Sequence, residues 1–198
     1  MPELPMIEPL SWFRQWYDDA HHASEPEPTA MALSTVDPQG QPTTRIVLLK
    51  AFNRKGFVFY TNLHSAKARH LKAHPKAGLC FWWKSLDRQI RIEGTAHQID
   101  DGEADAYFAS RARGSQIGAW ASRQSDPLPD RATLIEGVQQ MKARFEGKAV
   151  DRPPFWSGFR IVPQRFEFWQ MGADRLHDRW QFVRRRDDWQ WDRQRLYP

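Results

Sequence analysis

An amphipathic helix is predicted from Leu10 to His22, because Phe13, Trp16 and Tyr17 recur with Leu10 at helical spacing. The proline-rich segment that follows cannot continue a helix and marks its end. The first regular element is therefore expected to be a helix with one apolar face.

Short apolar runs separated by turn residues predict a series of strands after this helix. They are Ala30–Val36, Thr43–Phe52, Phe57–Thr61, Gly78–Trp83, Arg88–Ile99, Phe159–Trp169, Trp180–Arg184 and Trp189–Leu196. Ile46 to Leu49 is an uninterrupted apolar run, which suits a strand buried on both faces. Apolar and polar residues alternate in Arg88–Ile99, so one face of that strand is expected to meet solvent. The last two strands flank Asp187-Asp188, which predicts a hairpin.

Further helices are predicted at Ala66–His74, Glu103–Arg111 and Arg131–Phe145. Ser65 is placed to cap the first of these. The segment Arg113–Pro129 is rich in Gly, Ser and Gln, and no helix is predicted there.

The order of elements predicts an α+β fold that is mainly β. Short turns between the early strands favour antiparallel pairing. A barrel that closes on itself, with helices packed outside, is the architecture that this order indicates. No segment has the composition of an interdomain linker, so a single domain spanning residues 1–198 is expected.

Composition narrows the classes of function. Cys80 is the only cysteine, so an intramolecular disulfide is impossible and a reducing, cytoplasmic compartment is expected; Cys80 itself occupies the position of a buried strand residue. No apolar stretch approaches the ~20 residues that span a bilayer, and the first residues lack a secretory pattern. The net charge of +5 is modest and no nucleic-acid motif is present, so neither a membrane nor a nucleic acid is expected as partner.

Several common site signatures are missing from the sequence. Neither a glycine-rich dinucleotide motif nor a P-loop occurs. The histidines lack zinc-finger spacing and have no cysteine partner, so no metal site is expected.

Some polar residues are oddly placed for a plain core. Arg45 and Lys50 bracket the apolar run and, as strand residues five apart, are expected on opposite faces. Tyr107 and Arg111 share one face of a predicted helix, and Ser115 follows just past its end. A phenol, a guanidinium and a hydroxyl suit a phosphate. For Arg45 and Lys50, the alternative is that the two charges only mark where the strand ends meet water. For Tyr107 and Arg111, the alternative is a tyrosine that packs beside an exposed arginine.

The cluster at Arg175, His177 and Arg179 is also unusual. In a strand these side chains would point to one side, where they repel one another unless an anion lies between them. The alternative is a solvated loop with Asp178 as counter-ion.

Several of these residues lie in short segments whose order along the chain is itself informative. The segments are Arg45–Lys50, Phe59–Asn62, Arg88-Gln89, Ser115–Trp120, Gln124-Ser125, Glu167–Gln170 and Arg175–Arg179. Together and in this order they resemble the pyridoxamine (pyridoxine) 5'-phosphate oxidase family, over about Pro28 to Pro198. Their combination is far more specific than any one segment.

The resemblance implies an FMN-binding split β-barrel, antiparallel with peripheral helices, that works as a homodimer with FMN at the subunit interface. About residues 155–198 would complete the barrel and the dimer site. The implied reaction is oxidation of pyridoxine or pyridoxamine 5'-phosphate by O2 to pyridoxal 5'-phosphate, with H2O2 and, from the amine, NH3. It belongs to vitamin B6 biosynthesis and salvage.

The resemblance also implies roles for individual residues. Those implied to hold FMN, some of them from the second subunit, are Arg45, Ile46, Val47, Leu48, Leu49, Lys50, Tyr60, Thr61, Lys67, Gln89, Gln124, Ser125, Trp169 and Arg179. Those implied to hold the substrate are Lys50, Tyr107, Arg111 and Ser115 at its phosphate, with Arg175, Leu176 and His177 at its ring. Arg175 and His177 are implied to be catalytic.

The sequence departs from the family pattern at two places. Ala66 stands where relatives usually have an arginine that contacts the FMN phosphate. Loss of one charge-assisted contact costs about 1.5–3 kcal/mol, or about tenfold to a hundredfold in affinity. Lys67 and the backbone N–H groups at the helix start are expected to serve instead. Only a short stretch precedes Leu10, where many relatives carry an arm over the site, so no lid role is assigned to it.

Three other functions remain open from sequence. A phenazine-pathway type flavin oxidase on the same fold would act on a larger polycyclic substrate, against which Tyr107, Arg111 and Ser115 argue. A non-catalytic flavin-binding protein would be consistent with Ala66. A nucleic-acid binder would show steep salt dependence.

Overall fold

The computed structural model describes residues 8–185 and 189–198. In these residues the helices are α1 (Pro9–His22), α2 (Ala66–Ala73), α3 (Asp101–Ser110), α4 (Arg113–Ala121) and α5 (Arg131–Arg144). The strands are β1 (Ala30–Val36), β2 (Pro42–Leu48), β3 (Ala51–Asn53), β4 (Gly56–Asn62), β5 (Lys76–Trp83), β6 (Arg88–Gln98), β7 (Trp156–Gln170), β8 (Asp178–Arg184) and β9 (Trp191–Arg195). Short 3-10 turns occur at Lys84–Leu86 and Ala173–Arg175.

The strands form an antiparallel sheet in the order β2-β1-β5-β6-β7-β4-β3. β7 is long enough to pair with β6 along its length, with β4 through its first half and with β8 through its second half. β9 continues the sheet beyond β8. The predicted antiparallel architecture with peripheral helices is confirmed.

The sheet curls until its two ends meet at Leu49 and Lys50, the residues that connect β2 to β3. The N–H of Leu49 donates to the Thr29 carbonyl, 2.8 Å away, on the β1 side. The next N–H, that of Lys50, donates to the Val58 carbonyl of β4 at 2.9 Å. Consecutive residues therefore bond to opposite edges, which brings β2 beside β4.

Helix α1 packs its apolar face against the core residues of the curled sheet. Phe13 is fully buried, and its ring packs edge-on against Phe57 and Phe81 at centroid distances of 4.8 and 5.2 Å. Trp12 stacks on Phe168 at 4.2 Å. Since aromatic burial is the largest apolar contribution available, the predicted helix and the strands stabilise each other.

A second apolar cluster holds α3, α4 and α5 beside the sheet. Its buried members include Phe108, Ile117, Phe145 and Trp156. Asp100 caps α3 by accepting from the Glu103 N–H, and Asp130 caps α5 in the same way. This cluster positions α4 next to β4 and the start of β7.

The predicted strand Thr43–Phe52 is wrong in its extent and burial. It is two strands, β2 and β3, interrupted at Leu49-Lys50. Ile46 is 66% and Leu48 37% exposed, because in the described residues β2 lies at one end of the strand order with β1 as its ladder partner. An apolar run thus marks a surface strand here. Cys80, expected to be buried, is half-buried.

Two helix predictions also need correction. Ser65 precedes α2, but its side chain makes no cap hydrogen bond; the buried hydroxyl lies 3.4 Å from the Lys67 Nζ instead. Helix α4 falls within the segment for which no helix was predicted. Its glycines lower helix propensity, but buried Gln116 and Ile117 dock it, and Gln116 donates to the Phe108 carbonyl at the end of α3.

The other predicted helices and strands are confirmed within a few residues, including the β8–β9 pairing. The hairpin turn at Asp187-Asp188 lies outside the described residues. No helix in the described part of the chain is long and apolar enough to cross a membrane.

The backbones of β6 and β7 approach each other closely at Gly94, and a substitution there tests this contact. The pairing shifts register between Glu93 and Gly94, and a Cβ on Gly94 would lie 2.3 Å from the Val162 carbonyl oxygen. We expect Gly94→Ala to lower the free energy of unfolding by about 1–3 kcal/mol, because neither backbone can move away without breaking the ladder. Urea denaturation measures this change.

The matched control is Gly114→Ala, since a Cβ at Gly114 meets nothing within 4 Å. Its stability should be unchanged or slightly higher. Equal effects of the two substitutions would contradict the steric account of the β6–β7 contact.

Candidate functional site

A cavity of about 720 Å³ lies where β2, β4, the start of α2, the α3–α4 connection and the start of β7 meet. The residues predicted for the site that line it are Arg45, Ile46, Val47, Leu48, Lys50, Tyr60, Thr61, Lys67, Tyr107, Arg111, Ser115 and Gln124. The structure therefore brings together in one cavity residues that are far apart in sequence.

Arg45 and Lys50 both face this cavity. Their predicted placement on opposite faces is wrong, because β2 ends at Leu48 and Lys50 lies in the connection where the sheet closes. The strand period of two therefore does not extend to Lys50. Burial lowers the pKa of the Arg45 guanidinium.

Lys67 enters the cavity from the first turn of α2. Its side chain is held by hydroxyls, with the ammonium 3.3 Å from the Thr61 Oγ1 and 3.4 Å from the Ser65 Oγ. Thr61 in turn donates to the Gln124 Oε1 at 3.1 Å. Burial lowers the pKa of Lys67 to about 8, and the charge of Arg45 acts in the same direction. The residue is only 9% exposed.

Aromatic rings form one wall of the cavity. The rings of Tyr60, Tyr107 and Trp156 are nearly parallel and lie side by side, with the Tyr60 centroid 3.9 Å from that of Tyr107 and 5.3 Å from that of Trp156. Burial raises the pKa of Tyr60 to about 12, with the charge of Glu103 contributing, and burial also raises the pKa of Tyr107. Both phenols are therefore protonated donors at neutral pH.

Arg111 and Ser115 complete this end of the cavity, though not as predicted. Arg111 is not on the helical face of Tyr107, because α3 ends at Ser110 and Arg111 has extended backbone. Its guanidinium lies over the Trp156 ring at 4.8 Å, and burial lowers its pKa. Ser115 follows the end of α3, as predicted, but lies in the first turn of α4, a helix that was not predicted. The prediction that Tyr107 and Arg111 belong to one site is correct, because both line the cavity. The reason given for it, a shared helix face, is wrong.

The charged side chains among the described lining residues are all positive. Arg45, Lys50, Lys67 and Arg111 are cationic, and none of the described residues that line the cavity is acidic. The buried Nη1 of Arg111 has no hydrogen-bond partner in the described structure. Desolvated cations without counter-ions are costly, so this cavity is suited to an anionic ligand.

The remaining predicted residues do not line the cavity. Leu49 is buried in the core, and Ser125 lies next to Gln124 with its hydroxyl accepting from the Ala66 N–H at 3.2 Å. Gln89, Trp169 and Arg179 are register partners across β6, β7 and β8. We call the group at the end of these strands the C-terminal cluster; it consists of Gln89, Trp169, Arg175, Leu176, His177 and Arg179.

The predicted single-sided strand of Arg175, His177 and Arg179 is wrong. β8 begins only at Asp178, and Arg175 lies in a 3-10 turn with a left-handed φ of 63°. Gly172 permits this tight turn, because a Cβ there would lie 2.1 Å from the Leu176 carbonyl oxygen. A strained turn of this kind is typical of functional loops.

His177 and Arg179 are oriented by their neighbours. The His177 Nδ1 accepts from the Gly172 N–H at 3.2 Å, so neutral His177 carries its proton on Nε2. Its ring packs against Trp169 at 4.6 Å. Arg179 donates to the buried Glu167 carboxylate at 2.8 and 3.0 Å. Leu176, by contrast, is 72% exposed.

Some lining residues were missed by the sequence analysis. They are Asn62, Gly118, Ala119, Ser122 and Trp156. Trp156 pairs with Asn62 in the β7–β4 register. Its position after a proline pair at the start of a strand was the available signal, but no local pattern distinguishes it from a core tryptophan.

Family models match most of the chain. A model described as "Pyridoxamine 5'-phosphate oxidase" matches residues 17–145. One described as "Pyridoxine 5'-phosphate oxidase C-terminal dimerisation region" matches residues 156–198. The second match covers β7, β8 and β9 and hence most of the C-terminal cluster.

Individual proteins agree with these models. The chain is 52% identical to a pyridoxine/pyridoxamine 5'-phosphate oxidase of Azorhizobium caulinodans, covering 96% of this chain and 90% of that protein. It is also 52% identical to the oxidase of the same name from Caulobacter vibrioides, covering 100% and 88%.

Solved structures show the same fold. PhzG from Burkholderia lata, crystallised with tetrahydrophenazine-1-carboxylic acid, superposes with a TM-score of 0.92 at 32% identity, covering 98% of this chain and 94% of that one. A pyridoxamine 5'-phosphate oxidase-related, FMN binding protein from Nostoc punctiforme covers 100% of both chains, with a TM-score of 0.74 at 18% identity. The fold is thus that of the FMN-binding split barrels. Within that class, the chain belongs to the pyridoxine/pyridoxamine 5'-phosphate oxidase family.

Substitution of Lys67 tests how much the buried positive charge lowers the free energy of unfolding of the ligand-free protein. Its folded pKa of about 8 lies below the ordinary value of 10.5. The penalty for burying its charge is present below pH 8 and disappears as the pH rises to 10.5. We expect Lys67→Met to raise the free energy of unfolding by about 1–3 kcal/mol near pH 7 and to have little effect above pH 10.5, since one pKa unit corresponds to ~1.4 kcal/mol.

Urea denaturation of the wild type and the variant across this pH range measures the difference. Lys72→Met, on an exposed position of the same helix, is the control and should leave the stability unchanged at each pH. A Lys67→Met variant that is less stable than the wild type near pH 7 would show that the charge is stabilised in place.

Proposed function

We propose that the protein is an FMN-dependent oxidase that converts pyridoxine 5'-phosphate and pyridoxamine 5'-phosphate to pyridoxal 5'-phosphate with O2. The observation that carries this proposal is the convergence of four cationic side chains on one cavity whose described lining contains no acidic residue. A phosphate, or two, would supply the missing negative charge. The oxidase names of relatives about half identical in sequence support the same reaction.

The cavity residues fit FMN as the cofactor. A volume of about 720 Å³ is within the usual range for cofactor sites. Arg45 and Lys67 would hold the FMN phosphate at the start of α2, where the helix N-terminus favours an anion. Tyr60, Thr61 and Gln124 offer polar groups along the same wall. Because Ala66 supplies no cation there, the protein's affinity for FMN is expected to rest on Arg45 and Lys67.

The substrate phosphate would bind at the other end of the cavity. Lys50, Tyr107, Arg111 and Ser115 all line the cavity, and Tyr107 and Arg111 are fixed by the aromatic wall. The unpartnered Nη1 of Arg111 indicates a guanidinium prepared for an additional acceptor. Anchoring the phosphate would place the pyridine ring and reduce the entropic cost of reaction.

The C-terminal cluster would act on the pyridine ring in a neighbouring subunit's cavity. None of its members lines the cavity of its own chain, and the segment that carries most of them matches a dimerisation region. We therefore propose a homodimer in which Trp169 and Arg179 complete the FMN site. Arg175 and the Nε2–H of His177 would orient the ring and stabilise charge that develops on it.

When bound, FMN would accept the two electrons and hydrogen removed at C4', and O2 would take them up as H2O2. The alcohol becomes an aldehyde directly, whereas the amine requires water and releases NH3. The chain's own residues provide binding, orientation and exclusion of water. We further propose that residues 1–198 act as a single domain and that the enzyme is cytoplasmic.

A second candidate is an oxidase of a polycyclic substrate. The likeness to PhzG, which was crystallised with tetrahydrophenazine-1-carboxylic acid, favours it. The cluster of Tyr107, Arg111 and Ser115 favours the phosphorylated substrates, since a tricyclic acid does not require a phosphate anchor.

The proposal is tested with purified protein supplied with FMN and, in air, with pyridoxine 5'-phosphate, pyridoxamine 5'-phosphate or unphosphorylated pyridoxine. We expect equal amounts of pyridoxal 5'-phosphate and H2O2 from each phosphorylated substrate. The kcat/KM for pyridoxine should fall by about a hundredfold or more, because the buried cations are left without a partner. A protein that binds FMN but yields neither product would contradict the assigned substrate and favour the polycyclic one.

A further inference from the structure

Among the described hydrogen bonds, the Arg45 side chain makes more than any other cationic side chain of the cavity lining. Its Nη1 donates to the Leu33 carbonyl at 3.1 Å and to the Thr35 Oγ1 at 2.7 Å. Its Nη2 donates to the Thr43 Oγ1 at 2.6 Å. Thr35 and Thr43 are register partners on β1 and β2. This leaves the Nε–H and one Nη2–H without a partner among the described residues, and Arg45 lines the cavity.

Both threonine hydroxyls also reach a third residue, His70 on α2. The His70 Nδ1 lies 3.2 Å from the Thr35 Oγ1 and 3.3 Å from the Thr43 Oγ1. Thr35 is only 1% exposed, so its hydroxyl has little access to water. His70 is half-buried on the face of α2 that meets β1 and β2. The four side chains therefore form one hydrogen-bonded group beneath the cavity.

The direction of each hydrogen bond follows from the donors available. A guanidinium has only donors, so the hydroxyl oxygens of Thr35 and Thr43 must accept from Arg45. Each hydroxyl keeps its own hydrogen, which it can donate to the lone pair of the His70 Nδ1, and the arrangement considered is the one in which this nitrogen accepts. In this arrangement the Nδ1 of His70 carries no proton. The acceptor on His70 fixes the hydroxyls, and the hydroxyls fix the guanidinium.

We propose that His70, acting through the hydroxyls of Thr35 and Thr43, is a positioning residue that holds the Arg45 guanidinium for the phosphate-bearing cofactor. The inference rests on the proposed FMN site. His70 itself does not line the cavity. Without this acceptor, the hydroxyl hydrogens lose a fixed partner, so the lone pairs that accept from Arg45 are held in place less firmly and the guanidinium is less well oriented.

The test is titration of the cofactor-free protein with FMN, followed by quenching of flavin fluorescence. His70→Leu should weaken FMN binding by about tenfold, because a prepared charge-assisted contact is lost. His70→Asn should bind FMN within about twofold of the wild type, since its Oδ1 stands near the place of Nδ1 and accepts the same hydrogens. His74→Leu, an exposed histidine at the end of the same helix, is the control and should not change the affinity.

Action through Arg45 is tested by a double-mutant cycle. In an Arg45→Ala background, His70→Leu should cause no further loss of FMN affinity, because the positioned group is already absent. Thr43→Val, which keeps the shape but removes the hydroxyl, should reproduce the loss if His70→Leu fails to fold. Thermal unfolding of each cofactor-free variant separates loss of the site from loss of the fold.

If the wild-type protein binds FMN, the cofactor proposal stands, and three results would then overturn only the inference about His70. They are an unchanged affinity for His70→Leu, an equal loss for His70→Asn, and full additivity of His70→Leu with Arg45→Ala. If the wild-type protein itself fails to bind FMN, both the cofactor proposal and this inference are wrong.

Discussion

The cavity depends on the way the sheet closes at Leu49 and Lys50. Their successive N–H groups bond to opposite edges of the sheet, one toward β1 and one toward β4. That junction brings the cavity-facing side chains of β2 next to those of β4, so Arg45 and Tyr60 line the same space. The apolar contacts of α1 stabilise the curl, and the α3–α4 connection contributes Arg111 to the cavity lining.

The closed sheet holds a site that is electrostatically unfavourable without a ligand. Arg45, Lys67 and Arg111 are all desolvated enough for burial to lower their pKa values. Neutral hydroxyls and aromatic faces, rather than carboxylates, surround them. A carboxylate would stabilise the empty protein but compete with an anionic ligand. The absence of acidic residues from the described lining is therefore best understood as a cost in stability that favours binding.

Local patterns were sufficient for most of the fold, and their failures have physical causes. Period-two alternation located β6, and helical spacing located α1, because each element buries one face. The run Ile46–Leu49 misled because β2 lies at one end of the strand order, where an apolar run is not buried on both faces. Helix α4 was missed because tertiary docking of Gln116 and Ile117 outweighs the low propensity of its glycines.

The candidate site was accessible from sequence only through the resemblance. Charge and spacing singled out Arg45, Tyr107 and Arg111, but the strand ends before Lys50 and the helix ends before Arg111, so periodicity misplaced the second residue of each pair. The contacts that orient the site, such as Trp156 beneath Arg111 and His70 behind Arg45, join residues far apart in the chain. No pattern within a single segment encodes such contacts. They become visible only when the register of β4 with β7 and the docking of α2 are known.

The proposed homodimer predicts that each active site is built from two chains, with the cavity from one chain and the C-terminal cluster from the other. The most direct test combines Arg111→Ala, on the cavity side, with Arg175→Ala, in the C-terminal cluster. Each variant is assayed alone at low substrate concentration and again after refolding together in equal amounts. Random pairing should place both substitutions in one site of each mixed dimer and restore about a quarter of the wild-type activity through the other. Activity no higher than the mean of the two separate variants would contradict a site shared between subunits.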